Sequence, residues 1–322
     1  MAAREPQANA GLTVRQFLWL VSDHARLCLI AGLLGGLALP GLAAFMQPWL
    51  PEMVGALLCI TALRLGHRAV LGAADNTRVT LIAVLVLQMA LPLALFGLGT
   101  MLGLGLSPVL LAAVLVTAAP SISGAPNLAL LLRQDAGASL RIMAVGTALF
   151  PLTVLPLLAM MPQLGSFDAV VLSALRVMLV IAVATAAGFA LRHWLLPNAR
   201  PDQIKWLDGL SVLAFSGIVV GLMAAITPAL KTAPLTVLQW AALAFVLGYG
   251  LQVVTYVALK ARPQVRGPLA IAAGNRNIAL FLVALPEQVM APVMVFIGCW
   301  QLPMYLTPIL MRRLYVRTPT HE

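Results

Sequence analysis

The chain has 322 residues, of which 61% are hydrophobic and 9% charged, with a formal net charge of +10. An apolar share this far above the usual level excludes an ordinary soluble domain and implies a chain that crosses a bilayer many times. The basic residues stand singly between apolar runs and form no patch with interleaved aromatics, which excludes nucleic acid as the partner and makes the charges topology signals.

Residues 1-26 are polar, then amphipathic. The stretch from Leu12 to Val21, with Arg15 and Trp19, predicts a short helix lying on the cytoplasmic membrane surface. A cleaved signal peptide would remove the first span, so the segment is expected to stay. At roughly 20 residues per span, ten spans follow, at about 27-45, 49-66, 79-99, 107-132, 138-160, 169-191, 207-227, 234-259, 267-285 and 290-310. The loop from Met161 to Asp168, with Pro162 and Gly165, links the two halves, and residues 311-322 form a tail.

Sorting the Lys and Arg by side gives the orientation. The N-terminal segment, the loops after spans 2, 4, 6 and 8, and the tail hold nearly all of them, among them Arg4, Arg26, Arg64, Arg68, Arg133, Arg200, Lys205, Arg262 and Arg317. The opposite face holds Lys231. Both termini are therefore expected in the cytoplasm of a multi-pass cell-membrane protein.

Two strings repeat. Gly124-Ala125-Pro126-Asn127-Leu128-Ala129-Leu130 is answered by Gly274-Asn275-Arg276-Asn277-Ile278-Ala279-Leu280, and Gly146, Pro151 and Pro156 are answered at nearly the same offset by Gly298, Pro303 and Pro308. Five spans per copy is an odd number, so the copies, 27-160 and 169-310, have opposite orientations. The expected fold is all-α and integral to the membrane: two inverted five-helix repeats whose helices 4 and 9 are broken and cross.

The breaks are where chemistry can occur. Pro120, Gly124 and Pro126 interrupt span 4 with Ser121 and Ser123 among them, and Gly274, Asn275 and Asn277 interrupt span 9. An unwound backbone in hydrocarbon needs replacement partners for its N–H and C=O groups, and the Asn amide both donates and accepts. Asn127 and Asn277 can cap the broken ends, contact substrate, or do both. Arg276 is a cation near the bilayer centre, which insertion scales charge at about 2.5-3.5 kcal/mol. It can satisfy half-helix carbonyls through its five donors, or attract an anionic substrate. Arg176 lies within reach of the end of its helix, while Glu52 and Glu287 sit at interfaces.

Other site chemistries find no support. Cys28, Cys59 and Cys299 have neither CxxC nor Cys/His spacing, so no disulfide framework, metal site or cofactor is expected. His24, His67, His193 and His321 lie in span flanks without an acidic or nucleophilic cluster, and the chain reads as no enzyme.

The ten spans and the two crossing motifs resemble the bile acid:sodium symporter family over about Arg26 to Arg313. That resemblance implies a core of spans 4, 5, 9 and 10 moving against a panel of spans 1, 2, 6 and 7. Sodium-coupled members carry Ser-Asn at the first crossing, here Pro126-Asn127, and Glu-x-Gly-x-Gln-Asn at the second, here Ala272-Ala273-Gly274-Asn275-Arg276-Asn277. Asn127, Gly274 and Asn277 carry over; the Glu position is Ala272 and the Gln position is Arg276. Asn127 and Ser139 remain as weak sodium candidates. Pro120 is followed by Ser121 rather than the Cys of the arsenite-efflux branch. The expectation is a carrier of a small organic anion, a carboxylate or sulfonate, with Asn127, Asn275, Arg276, Asn277, Ser121 and Ser123 binding it and without sodium coupling. The alternatives are a symporter with a rearranged ion site, and a channel or a sensor that moves nothing.

Overall fold

The structure, a computed structural model, describes residues 13–71, 77–161 and 166–316. Arg4, Leu12, Pro162, Gln163, Gly165, Arg317 and His321 lie outside the described residues, as do the side chains of His67 and Arg68. Among the described residues the chain is helical, and strand-like pairing is confined to one isolated antiparallel bridge between Ser121 and Arg276.

Among the described residues seven helical stretches are long and apolar enough to cross a membrane, Pro40–Gly66, Thr77–Met101, Ala136–Ala159, Asp168–Leu195, Pro201–Thr232, Pro234–Ala258 and Glu287–Val316, and the bent pair Val14–Asp23 and Ala25–Ala38 is an eighth if it counts as one span. The protein is a multi-pass membrane protein. Its surface agrees, because Ile82, Leu179, Val183, Val246, Val254 and Val257 are exposed while Gln88, Gln252, Asn275, Arg276 and Gln301 are buried. Polar side chains inside and apolar ones outside is the distribution that hydrocarbon imposes.

Helix α1 (Val14–Asp23) opens with a capping box between Thr13 and Gln16 and meets α2 (Ala25–Ala38) at 91°. It packs on the start of α11 (Pro201–Thr232), where Arg15 is paired with Asp202 and the Trp19 indole donates to the Asp202 carbonyl at 3.0 Å. The predicted break between spans 1 and 2 falls earlier than 46-48. Pro40 has no N–H to give, and Leu39 before it leaves the helical region (φ −118°, ψ 69°), so α2 stops at Ala38. The chain then runs through α3 (Pro40–Met46) and a 3-10 turn (Gln47–Trp49) into α4 (Leu50–Leu71). At Gly66 the backbone turns to φ 70°, a conformation that glycine adopts freely. The freed Leu63 carbonyl is met by Arg192 Nη1 at 3.4 Å.

The segment expected as the third span is α5 (Thr77–Leu85), a π-helical turn (Val86–Ala90) and α6 (Leu91–Met101). Next come α7 (Pro108–Ala118) and α8 (Ala125–Leu131), the two halves of one interrupted segment, and then α9 (Ala136–Ala159), capped by Asp135. Arg133 holds φ 56° and Gln134 N–H reaches back to the Ala129 carbonyl at 2.8 Å, a left-handed helix stop that folds α9 against α8.

The second half holds α10 (Phe167–Leu195), α11, α12 (Pro234–Ala258), α13 (Pro263–Gly274), α14 (Phe281–Ala284), α15 (Glu287–Met290), α16 (Met294–Leu310) and α17 (Arg312–Val316). Helix α10 lies along α4, α11 along α2 and α4, and α12 along α13 and α16. The core joins both halves, with Phe150 edge-on to Phe281 at 5.1 Å and Phe296 between Trp240 and Trp300.

Candidate functional site: the crossing of two interrupted helices

Each interruption has a local cause. Ala119 precedes Pro120 and is pushed to an extended conformation (φ −62°, ψ 147°), which ends α7; Pro126 in the first turn of α8 suits a restart, where a missing N–H costs nothing. In the second interrupted segment α13 ends at Gly274, Asn275 (φ −121°, ψ 88°) and Asn277 (φ −87°, ψ 66°) are not helical, and a 3-10 turn (Ile278–Leu280) leads into α14.

The two unwound segments satisfy each other. Ile122 N–H donates to the Asn275 carbonyl at 3.0 Å, and Asn277 N–H donates to the Pro120 carbonyl at 2.8 Å. Gly274 permits the close packing of α13 on α12 beside the crossing: a Cβ there would lie 2.1 Å from the Gly248 carbonyl oxygen and 2.3 Å from Gln252 Cγ.

Arg276 sits at the centre and is only 2% exposed. Its Nε donates to the Ala273 carbonyl at 2.9 Å, Nη1 to Ala119 at 3.0 Å and Nη2 to Leu87 at 3.2 Å. Ala273 is in the last turn of α13 and Ala119 is the end residue of α7, so one guanidinium faces the carbonyl ends of two half-helices, where a positive charge is favoured. Leu87 belongs to the π-helical turn of the third span. The carbonyl of Arg276 itself accepts from the Trp300 indole at 3.0 Å. Of the two roles open to Arg276 in the sequence, the geometry engages the carbonyl-binding one.

Asn275 is fully buried and belongs to a polar chain. Its Nδ2 donates to the Ile271 carbonyl at 2.9 Å and its Oδ1 accepts from Thr307 at 3.2 Å. Gln252 Nε2 donates to Thr307 Oγ1 at 3.3 Å, and the Tyr315 hydroxyl donates to Gln252 Oε1 at 2.9 Å. Asn275 thus ties α13 to α16, α12 and α17.

The remaining candidates divide. Asn277 is half-buried, and among the described residues its side-chain amide has no hydrogen-bond partner. Ser121 Oγ and Ser139 Oγ are buried without a partner, and Ser123 is half-buried. Asn127 is exposed on α8, and its Oδ1 accepts from Arg64 Nη2 at 3.0 Å rather than from a broken helix end. The crossing therefore brings together Pro120, Ser121, Asn275, Arg276 and Asn277, while Asn127 belongs to a neighbouring contact with α4. Gly124 serves as the end residue from which α8 starts.

A sodium ion fits these residues poorly. Ala272 lies in an apolar cluster with Leu87, Ile142, Leu269 and Ala273 and offers no oxygen ligand from its side chain. The helix-end carbonyls that a cation would use are held by the guanidinium. Among the described residues no three His, Cys, Asp or Glu side chains converge.

Sequence reasoning missed Gln88, Gln252, Trp300, Thr307 and Tyr315. Two of them carried a signal, because a Gln inside an apolar span is expensive unless it has a purpose. Gln252 serves the polar chain, and Gln88 Nε2 donates to the Gly146 carbonyl at 3.1 Å, linking the third span to α9. No protein-family model matches this chain, and comparison with the curated proteins finds no match.

Proposed function

We propose that the protein is a secondary transporter of a small organic anion that works by alternating access around the crossing, without sodium coupling. The observation that carries this reading is the pair of unwound segments bonded to each other inside an apolar bundle, beside the unpartnered polar groups of Ser121 and Asn277. Irregular backbone at membrane depth is tolerated where protein buries it or it lines a route, and in carriers it forms the binding site.

An inverted repeat is supported by matched packing. The first span of one copy lies along the second of the other in both directions: α2 against α11, and α10 against α4. In each copy the third span also packs on the interrupted segment, as α6 on α7 and α12 on α13. On this reading 27-160 and 169-310 are the two copies, with ten crossings and both termini in the cytoplasm.

The absence of sodium coupling rests on Arg276. A fixed guanidinium already supplies positive charge to the two half-helix ends, so no ion has to bind before the crossing is held together. The test is flux of organic anions into proteoliposomes. Saturable uptake with counterflow, unchanged when potassium or choline replaces sodium and responsive to membrane voltage, is expected. Sodium-stimulated uptake would indicate a symporter with another ion site, non-saturating flux a channel, and binding without flux a sensor.

A further inference from the structure

The carrier reading needs a positive group that an anion can reach, and Arg276 is enclosed with its donors turned to carbonyls. A different arginine meets the requirement. Arg64 of α4 is ion-paired with Asp208 of α11, and its Nη2 also donates to Asn127 Oδ1 of α8 at 3.0 Å. One guanidinium thus joins two helices of the proposed panel to one half of an interrupted segment. The side chains of Arg64 and Asp208 are 15% and 26% exposed, so the pair is largely but not completely enclosed.

We propose that Arg64 supplies the counter-charge that binds the transported anion, and that Asp208 occupies the anion's place when no substrate is bound. The guanidinium already has a carboxylate oxygen beside its Nε in this setting, and an organic carboxylate or sulfonate would present the same negative charge to it. Asn127 completes the subsite. Its Oδ1 is taken by Arg64, while its Nδ2 has no partner among the described residues and can donate to an anion oxygen beside the guanidinium. A substrate binding here displaces Asp208 from Arg64 and so loosens α4 from α11 while tightening α4 to α8. That is a differential contact of the kind that shifts a two-state equilibrium. The proposal rests on the carrier reading for its purpose but not for its binding chemistry.

Binding is read as the shift in melting temperature of purified protein with sodium benzoate and sodium benzenesulfonate as probes, and with benzamide as the neutral control, at constant ionic strength. The acids should stabilise the wild type and benzamide should not. Asp208→Asn removes the internal competitor and should tighten benzoate binding about tenfold, the scale of a close charge pair. Arg64→Gln should abolish the acid-specific shift, and Arg64→Lys should keep part of it. Should Arg64→Gln fold poorly because it strands Asp208, the double variant Arg64→Gln with Asp208→Asn removes both charges together and should fold yet show no shift. Absence of any acid-specific shift in Asp208→Asn, or a full shift in the double variant, overturns the proposal. Flux separates the two ideas: Arg64-dependent binding without flux leaves this site standing and removes the carrier, whereas flux that survives in the double variant does the reverse.

Discussion

The main-chain carbonyl of Ala119 accepts a hydrogen bond from the Arg276 guanidinium at 3.0 Å, so the end of one half-helix is closed by a side chain that the other interrupted segment carries. The same guanidinium closes its own helix at Ala273. Removing it leaves three buried carbonyls without that donor, each worth about 1-3 kcal/mol when unsatisfied. Arg276→Leu should therefore lower stability by about 3 kcal/mol or more. Arg276→Lys should fall between, because a compact ammonium on one stem cannot spread over three acceptors as the planar fork does. Melting curves in detergent should rank wild type above Lys above Leu; equal melting of Leu and wild type would show that the carbonyls have other partners.

Trp300 fixes the crossing from the side, through its indole N–H on the Arg276 carbonyl at 3.0 Å. Trp300→Phe keeps an aromatic ring against Phe296 and removes the donor, so the expected cost is about 1-2 kcal/mol. Trp300→Ala should cost about 3-5 kcal/mol because it also empties a filled core position. A Phe variant as damaged as Ala would assign the effect to the hydrogen bond rather than to filled volume, and a Phe variant as stable as wild type would assign it to shape.

Gly274 and Gly250 make a matched pair of tests. A methyl at Gly274 collides with the Gly248 carbonyl and with Gln252, whereas a Cβ at Gly250 meets nothing within 4 Å. Gly274→Ala should cost about 1-3 kcal/mol and perturb the crossing, while Gly250→Ala should be neutral or stabilising by up to about 1 kcal/mol through helix propensity. Equal melting temperatures for the two variants would contradict the close approach.

Topology is checked across α11, whose 32 residues span roughly 48 Å at 1.5 Å per residue. A cysteine replacing Arg200 should react with a membrane-impermeant reagent only from the cytoplasmic side, and one replacing Thr232 only from outside. Reaction of both from one side would remove the proposed orientation and the inverted repeat with it.

The repeated Gly-x-x-Asn strings made the two breaks visible in sequence because proline and glycine act on the backbone within one or two residues. The two asparagines they carry were equivalent on paper and are not so in space. Asn277 lies in the crossing with a side-chain amide that has no partner among the described residues, whereas Asn127 has been taken up by Arg64, 63 positions earlier in the chain. The ends of Thr77–Met101, α9, α10 and α12 were legible to within a few residues, whereas α11 runs from Pro201 to Thr232 rather than 207-227, and near Pro40 proline stops a helix that hydropathy alone would continue.

What the sequence by itself determined is the solvent and the places where helices fail: hydrocarbon follows from apolar content, and the breaks from residues with missing N–H groups or absent side chains. What only the tertiary structure decided is which partner each polar group takes. Arg276 could have faced substrate or carbonyl, and the convergence on it of the ends of α7 and α13 and of the π-helical turn put three carbonyls within its reach. Arg64 stood in the sequence as one topology charge among many until α4, α8 and α11 brought Asp208 and Asn127 to it. Hydrogen bonds and ion pairs act over a few ångströms between residues distant in the chain, so their partners are set by how helices pack and not by local pattern.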